Sequence, residues 1–435
     1  MKKRIAFISE HASPLATIGG VDAGGQNVYV AELAKQLSAR KYQIDIYTRW
    51  EDPSLSQIVE WFPGVRVIHI KAGPVQYIRK EDILPLMTEF RENMVGFITE
   101  QGIEYKLIHA NFWMSALVAK EIREILNIPY VITFHALGKV RKMHQQEADK
   151  FPAERTDIEK LTARHADRVI AECPQDKEDL HTLYDIDEEK ITIIPCGYNP
   201  TEFFPVDKAF ARTLLRLEQD EFILLQLGRM VPRKGVDTVI SALKHIGQLK
   251  KKVRLLIVGG ETDHPDPAQC PELARLMELA MEEGVAAEVS FTGRKNRNML
   301  KYYFSAADIF ITTPWYEPFG ITPLEAMACG TPVIGSDVGG IKYSVKDGDT
   351  GFLVPSRDPV ALADRIRYLL QNPLLVRKMK TRAIHRVQSL FTWLKIAEMM
   401  DDLYVSVIEG LMHRVPAPVI RMDTAAGGLA YSEGI

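Results

Sequence analysis

An arginine and a lysine five positions apart, Arg229 and Lys234, stand in the segment Gly228-Arg229-Met230-Val231-Pro232-Arg233-Lys234-Gly235. An apolar run, 222–227, precedes them, so the pair belongs to a loop at the carboxyl end of a buried strand. Arginine offers a planar fork of donors and lysine a mobile point charge, a combination suited to a diphosphate. A solvated basic turn is the plainer account of such a loop, and Arg233 is assigned to it. A second loop, Gly19-Gly20-Val21-Asp22-Ala23-Gly24-Gly25-Gln26, runs straight into a helical pattern. Glycines there let the backbone approach a ligand closely, and the helix N-terminus behind them favours an anion. The spacing is not the Gly-x-Gly-x-x-Gly of dinucleotide binders, and an ordinary strand-to-helix turn also explains it.

Two carboxylates eight positions apart, Glu317 and Glu325, form the next constellation. Pro318, Gly320 and Pro323 between them rule out one continuous helix, so Glu317 is expected on a loop. Thr322-Pro323-Leu324-Glu325 has the form of a capping box, with Gly330 as the stop. Glu325 therefore either caps its own helix or faces a ligand, and the loop before it presents the amides of Phe319, Gly320 and Ile321. His135, in Thr133-Phe134-His135-Ala136-Leu137-Gly138, follows a strand pattern and should point into a cleft. Taken alone, such a histidine is more often structural, and His11 and His109 receive that reading.

The elements that must position these residues alternate along nearly the whole chain, short apolar runs with longer helical periods. Strands are expected at 5–8, 43–48, 65–70, 107–110, 130–134, 168–171 and 191–195, and a helix at 27–40 in which Val30, Leu33, Ala34 and Leu37 share one face. After a proline-bearing hinge at 200–207 the alternation restarts, with strands at 222–227, 253–258, 289–291, 309–312, 332–336 and 352–354. The fold class is α/β: two doubly wound, Rossmann-like domains, 1–200 and 201–390, facing each other across a cleft. A helix in 391–412 is expected to cross back to the first domain, and 413–435 to form a flexible tail. Ligands of such sheets lie beyond the carboxyl ends of the strands, where all the residues above fall.

With 435 residues the chain exceeds one compact core. Its 54 Lys plus Arg against 57 Asp plus Glu argue against a general nucleic-acid binder. Four cysteines without a Cys-x-x-Cys pair argue against a zinc or disulfide framework and point to the cytoplasm. No apolar run approaches the roughly 18 residues of a membrane span, and the apolar stretch after Met1-Lys2-Lys3-Arg4 is too short for a signal peptide. Asp185-Ile186-Asp187 has Asp-x-Asp form but lies in a charged stretch and is read as surface.

The Gly-Arg-x-Val-x-x-Lys-Gly loop followed by Glu-x7-Glu, on this double α/β layout, resembles the retaining nucleotide-sugar glycosyltransferases of family 4, with the GT-B fold. Asp22-Ala23-Gly24-Gly25-Gln26-Asn27-Val28-Tyr29 is similar to the corresponding segment of sucrose-phosphate synthases, sucrose synthases and the inositol-phosphate N-acetylglucosaminyltransferase of mycothiol synthesis. The resemblance implies an acceptor-binding first domain and a nucleotide-sugar-binding second one. It assigns the donor diphosphate to Gly24, Gly25, Arg229 and Lys234, and the donor sugar to Phe319, Gly320, Ile321 and the catalytic pair His135 and Glu317. Glu325 would accept from the ribose, the base would lie at Arg294, and Lys80 and Arg155 would hold an acceptor phosphate. The implied reaction is hexosyl transfer from a nucleoside diphosphate sugar, UDP-glucose or another UDP-hexose, to a small phosphorylated sugar or polyol. It needs no cofactor and no metal, since fixed cations neutralise the leaving group. Where the inositol-phosphate enzyme has tyrosine and threonine beside the phosphate, this chain has Phe112 and Ala136; Lys139, Arg141, Lys142 and His144 either replace that charge or form a solvated loop. The alternatives are a transferase of envelope polysaccharide or glycolipid at the cytosolic face, and a sugar-nucleotide epimerase. Oligomeric state is left open.

Overall fold

The computed structural model describes residues 3–16, 24–247, 251–260 and 262–410. Residues 19–23 of the first glycine loop and the tail from 413 lie outside the described residues.

Two sheets account for all the strands described. The first contains β1 (Lys3–Ile8), β2 (Tyr42–Arg49), β3 (Ile58–Phe62), β4 (Val65–Ile70), β5 (Leu107–Asn111), β6 (Tyr130–Thr133), β7 (Arg168–Ala171) and β8 (Ile191–Ile193). Its order is β3-β4-β2-β1-β5-β6-β7-β8, parallel throughout except for the antiparallel edge strand β3. That edge strand is absent from the sequence reading: Ile58–Phe62 is only half buried and carries Glu60 and Trp61 amid its apolar residues. The second sheet contains β9 (Phe222–Leu227), β10 (Val253–Val258), β11 (Val289–Phe291), β12 (Ile309–Thr312), β13 (Val333–Ser336) and β14 (Gly351–Val354), all parallel. Its order, β11-β10-β9-β12-β13-β14, is the Rossmann order, reversing direction between β9 and β12. The first sheet reverses likewise between β1 and β5. At each reversal the neighbouring crossover helices diverge to opposite faces and leave a crevice at the strands' carboxyl ends.

Central strands such as Ile309–Thr312 are buried along their whole length, because helices cover both faces of a parallel sheet. One apolar core fills the far side of the first sheet, around Phe90, Trp113 and Ile132. Another fills the outer side of the second, around Leu224, Ile240 and Leu362. A third spans both halves, from Tyr29 and Leu33 to Phe319, Phe391 and Trp393.

The chain passes between the halves twice at neighbouring points. The amide of Tyr198 donates to the Phe391 carbonyl at 2.8 Å, and the Trp393 amide donates to the Tyr198 carbonyl at 3.2 Å. Thr392 caps the helix Trp393–Ile408, which lies against the helix Gly25–Ala39. Asp401 on it accepts from Arg40 at 2.9 Å and from the Tyr42 hydroxyl at 2.5 Å. Among the described residues no helix is long and apolar enough to cross a membrane.

Candidate active site

The Arg229–Lys234 loop leaves β9 and is locked by Gly235. That residue has φ +66°, and a Cβ there would stand 2.0 Å from the Thr313 carbonyl oxygen. Only glycine tolerates both conditions, so the loop is pinned against the end of β12. Gly339 pins the far side of the same junction, where a Cβ would stand 1.9 Å from the Glu317 carbonyl oxygen. Between these two contacts Glu317 meets Lys234 in a hydrogen-bonded ion pair. Arg233 lies 3.9 Å from the same carboxylate oxygen and 5.3 Å from the centre of the Tyr316 ring. It is therefore not the solvated residue of the sequence reading: its side chain is only 17% exposed. Arg229 is exposed and lines the cleft.

Burial lowers the Lys234 ammonium to about 8, with Arg233 and Arg229 acting in the same direction against the pull of Glu317. Burial alone would raise the Glu317 carboxyl; attraction to Lys234, Arg233 and Arg229, with the Lys234 hydrogen bond, outweighs it and holds the group below the usual range. Three cations thus act on one carboxylate, a concentration of charge typical of functional sites.

The helix carrying Glu325 runs from Ile321 to Ala328, with Gly320 at its N-cap at φ +90°. Thr322 is thus its second residue, and the expected capping box does not form. Pro323 still fits, because the first turn has no intrahelical partner for its missing N–H. Glu325 is 2% exposed, and its Oε1 lies 2.9 Å from Arg297, a residue the sequence reading passed over. Phe319 is buried in the core that spans both halves, so its backbone, not its ring, is what it presents with Gly320 and Ile321.

His135 has φ +59°, a costly conformation for a residue with a Cβ and one often retained at functional sites. Its ring is clamped between Glu172 Oε1, 2.9 Å from Nδ1, and Asn111 Oδ1, 3.1 Å from Nε2. His109 keeps its structural role, buried between the Tyr404 hydroxyl at 2.5 Å and Thr133 at 2.9 Å. His11 lines the cleft, with Nδ1 2.8 Å from Glu10 and its ring 4.8 Å from that of Phe112.

Two of the cavities that open here meet at Glu317. One, of about 920 Å³, includes His11, Lys80, Phe112, His135, Ala136 and Arg141 in its wall. The other, of about 1030 Å³, is lined by Lys234, Gly259, Arg294, Arg297, Leu300 and Glu325 among others. Gly24, Gly25, Arg229, Arg233, Glu317 and Ile321 line both. Gly24 is the N-cap of the helix Gly25–Ala39, so the first amides of that helix face the shared region. Arg294 lies in the second cavity, its Nε 3.1 Å from Asp263 and its amide donating to the Thr262 carbonyl at 2.8 Å.

Of the two residues expected at an acceptor phosphate, Lys80 is in the first cavity and Arg155 is not. Arg155 is 2% exposed, donates to Glu159 at 2.7 Å and to the Ala136 carbonyl, and lies 4.5 Å from the Phe151 ring centre. An aromatic wall and an internal carboxylate claim it. Arg141 covers the same ring at 5.0 Å and does line the cavity, held by Asp149 at 3.1 Å. Among the described residues no group of three His, Cys, Asp or Glu side chains is arranged to hold a metal ion.

Lys234 loses its charge as pH rises past about 8, so an anion it helps to hold should bind more weakly above that point. UDP affinity measured by calorimetry from pH 7 to 9.5 is expected to fall on the alkaline side. In Lys234→Arg, whose guanidinium keeps its proton, that alkaline loss should vanish. Constant affinity in the parent protein, or the same alkaline loss in both, would remove Lys234 from the anion site.

Residues 23–202 match the model of "Glycosyltransferase Family 4", and residues 207–386 that of "Glycosyl transferases group 1". The D-inositol 3-phosphate glycosyltransferase of Streptomyces bingchenggensis is 34% identical over 415 residues, covering 94% of this chain and 90% of the relative. That of Corynebacterium diphtheriae is 32% identical over 410 residues, covering 93% and 95%. Among solved structures, sucrose-phosphate synthase from Thermosynechococcus elongatus matches with a TM-score of 0.85 at 36% identity, covering 94% of this chain and all of that one. With the paired sheets and the cleft between them, these likenesses identify the chain as a member of the family 4 glycosyltransferases of the GT-B fold.

Proposed function

We propose that this glycosyltransferase moves a hexosyl group from UDP-glucose or another UDP-hexose to a small phosphorylated sugar or polyol, with retention at the anomeric carbon and without a metal. The observation that carries this reading is the set of six residues lining both cavities, with three cations and a helix N-terminus at the junction. A diphosphate seated there puts its nucleoside in the second cavity, with the base near Arg294 and the ribose at Glu325, and its sugar at the mouth of the first. Glu317 and the amides of Phe319, Gly320 and Ile321 then orient the sugar hydroxyls.

Breaking the bond from the anomeric carbon to the β-phosphate oxygen leaves negative charge on the diphosphate and positive charge on the ring. Arg229, Lys234 and the Gly24–Gly25 end of the helix oppose the first; fixed donors of this kind are commonly worth about 10²–10³ in rate each. The acceptor oxygen bonds to the same face of the anomeric carbon, and its proton passes to the departing phosphate oxygen. His135 lines the first cavity, and its backbone carbonyl is assigned to the positive charge of the ring. Enclosure between the two halves limits loss of the donor to water. All four cysteines are free thiols, which suits a cytoplasmic protein.

An anionic acceptor is supported by Lys80 and Arg141 in the first cavity and by the phosphate in both relatives' printed names. Phe112 and Ala136, without hydroxyls, stand in that wall and favour a hexose phosphate over inositol phosphate. The direct test incubates UDP-sugars with phosphorylated and free sugars and reads product mass and anomeric configuration. A donor altered without any acceptor would instead mark an epimerase.

Two further outcomes follow from the charge scheme. Turnover should survive excess chelator; complete loss restored by magnesium would contradict it. Lys80→Ala with Arg141→Ala should raise the acceptor KM by about 10²-fold or more while moving the donor KM by less than about threefold. An unchanged acceptor KM would remove the phosphate pocket.

A further inference from the structure

Arg297, the first residue of the helix Arg297–Ala306, is surrounded by three carboxylates from three parts of the chain. Its NH2 atom lies 2.9 Å from Glu325 Oε1, and its Nε donates to Glu202 Oε2 at 2.6 Å. Its guanidinium covers the Phe203 ring at 4.8 Å. Glu202 belongs to the segment joining the two halves, and from there Asn199 continues the chain of contacts. The Asn199 side-chain amide donates to Glu202 at 3.3 Å and to Glu32 at 3.1 Å. Glu32 is 5% exposed and sits on the helix Gly25–Ala39, whose N-terminus faces both cavities.

The contact between Arg297 and Glu325 is close yet poorly aligned. Arg297 NH2 and Glu325 Oε1 are both buried and neither makes a hydrogen bond of good geometry. Buried polar atoms left this way are costly, and a hydroxyl arriving from the cavity would satisfy them. Both residues line the second cavity.

We infer that Arg297 is the positioning residue of the ribose site, holding the Glu325 carboxylate toward the nucleotide's hydroxyls and tying it, through Glu202 and Asn199, to the helix that meets the diphosphate. The inference rests on the proposed role of Glu325. Arg297 needs no contact with the reacting atoms; its effect is exerted through the carboxylate. Burial pushes the Glu325 carboxyl up, and Glu202 and Glu32 push the same way; Arg297 is the opposing charge. The other groups nearby are Lys35, paired with Glu32 at 2.9 Å, and the buried Cys329 thiol one turn beyond Glu325. Without Arg297 none of these neighbours opposes that upward push or holds the carboxylate in place, and the ribose meets a poorer acceptor.

The test measures binding of UDP and 2′,3′-dideoxy-UDP to the full chain and to Arg297→Met. The parent protein should prefer UDP by about 10²-fold, the worth of two hydrogen bonds to a charged group. In Arg297→Met at pH 7 the preference should fall below about threefold, mainly through weaker UDP binding. A general packing defect would instead weaken both nucleotides alike and leave the preference unchanged. Arg297→Gln, polar and of intermediate length, carries the same comparison if the methionine variant does not fold. If the parent protein does not distinguish the nucleotides, the ribose assignment fails and this proposal with it. If the parent distinguishes them and the variants do so equally well, the ribose assignment stands and the role of Arg297 is overturned.

Discussion

One carboxylate set among three cations is the constraint on which the rest of the molecule depends. Glu317 pairs with Lys234 in a cleft that Arg233 and Arg229 also line, both acting on the same carboxylate. Withdrawing such charges from water costs several kcal/mol per ion unless the geometry is good. The fold supplies that geometry with two glycine contacts, Gly235 on Thr313 and Gly339 on Glu317, which leave the two loops little freedom. Under the proposed function, a cluster held in this way receives an anion. In the proposed reaction that anion is the diphosphate, whose charge grows as the sugar departs.

The sheets explain why this cluster sits where it does. Each reverses its strand order once, and the loops leaving β9 and β12 at the second reversal carry Arg229, Lys234 and Glu317. At the first reversal the loops leaving β1 and β5 carry His11 and Phe112, with His135 one strand further on. The halves are joined by neighbouring crossings at Tyr198 and Phe391, and the helix Trp393–Ile408 returns to cover the first half. The polar chain Glu325–Arg297–Glu202–Asn199–Glu32 runs beside those crossings. The proposed nucleotide site and the inter-lobe connection therefore share side chains as well as backbone.

What could be read from the sequence was what local pattern controls. Parallel strands such as β9, β10 and β12 are nearly continuous apolar runs, interrupted by Gln226 and Arg254, and their limits matched residue for residue. The Arg229–Lys234 spacing and the Glu317–Glu325 spacing were visible because each lies within one loop or one loop-helix junction. Long-range pairing was not visible in this way. Arg233, assigned to solvent, packs on Tyr316 beside Glu317. Arg155, expected at the acceptor phosphate, is instead turned inward by its neighbours Glu159 and Phe151, while Arg141, for which a solvated loop and a replacement charge were both open, lines the cavity. Arg297 gave no signal beyond its place three residues after Arg294. The Thr322 capping box failed for a local reason: Gly320, at φ +90°, starts the helix earlier than the side-chain pattern implied.

A crystal structure of the protein with UDP bears most directly on this arrangement. The diphosphate should lie in the region shared by the two cavities, within hydrogen-bond distance of Arg229, Lys234 and the Gly25 end of its helix, with Lys234 drawn from Glu317 toward it. A nucleotide bound outside the cleft, or one whose phosphates leave Lys234 bonded to Glu317 alone, would contradict it.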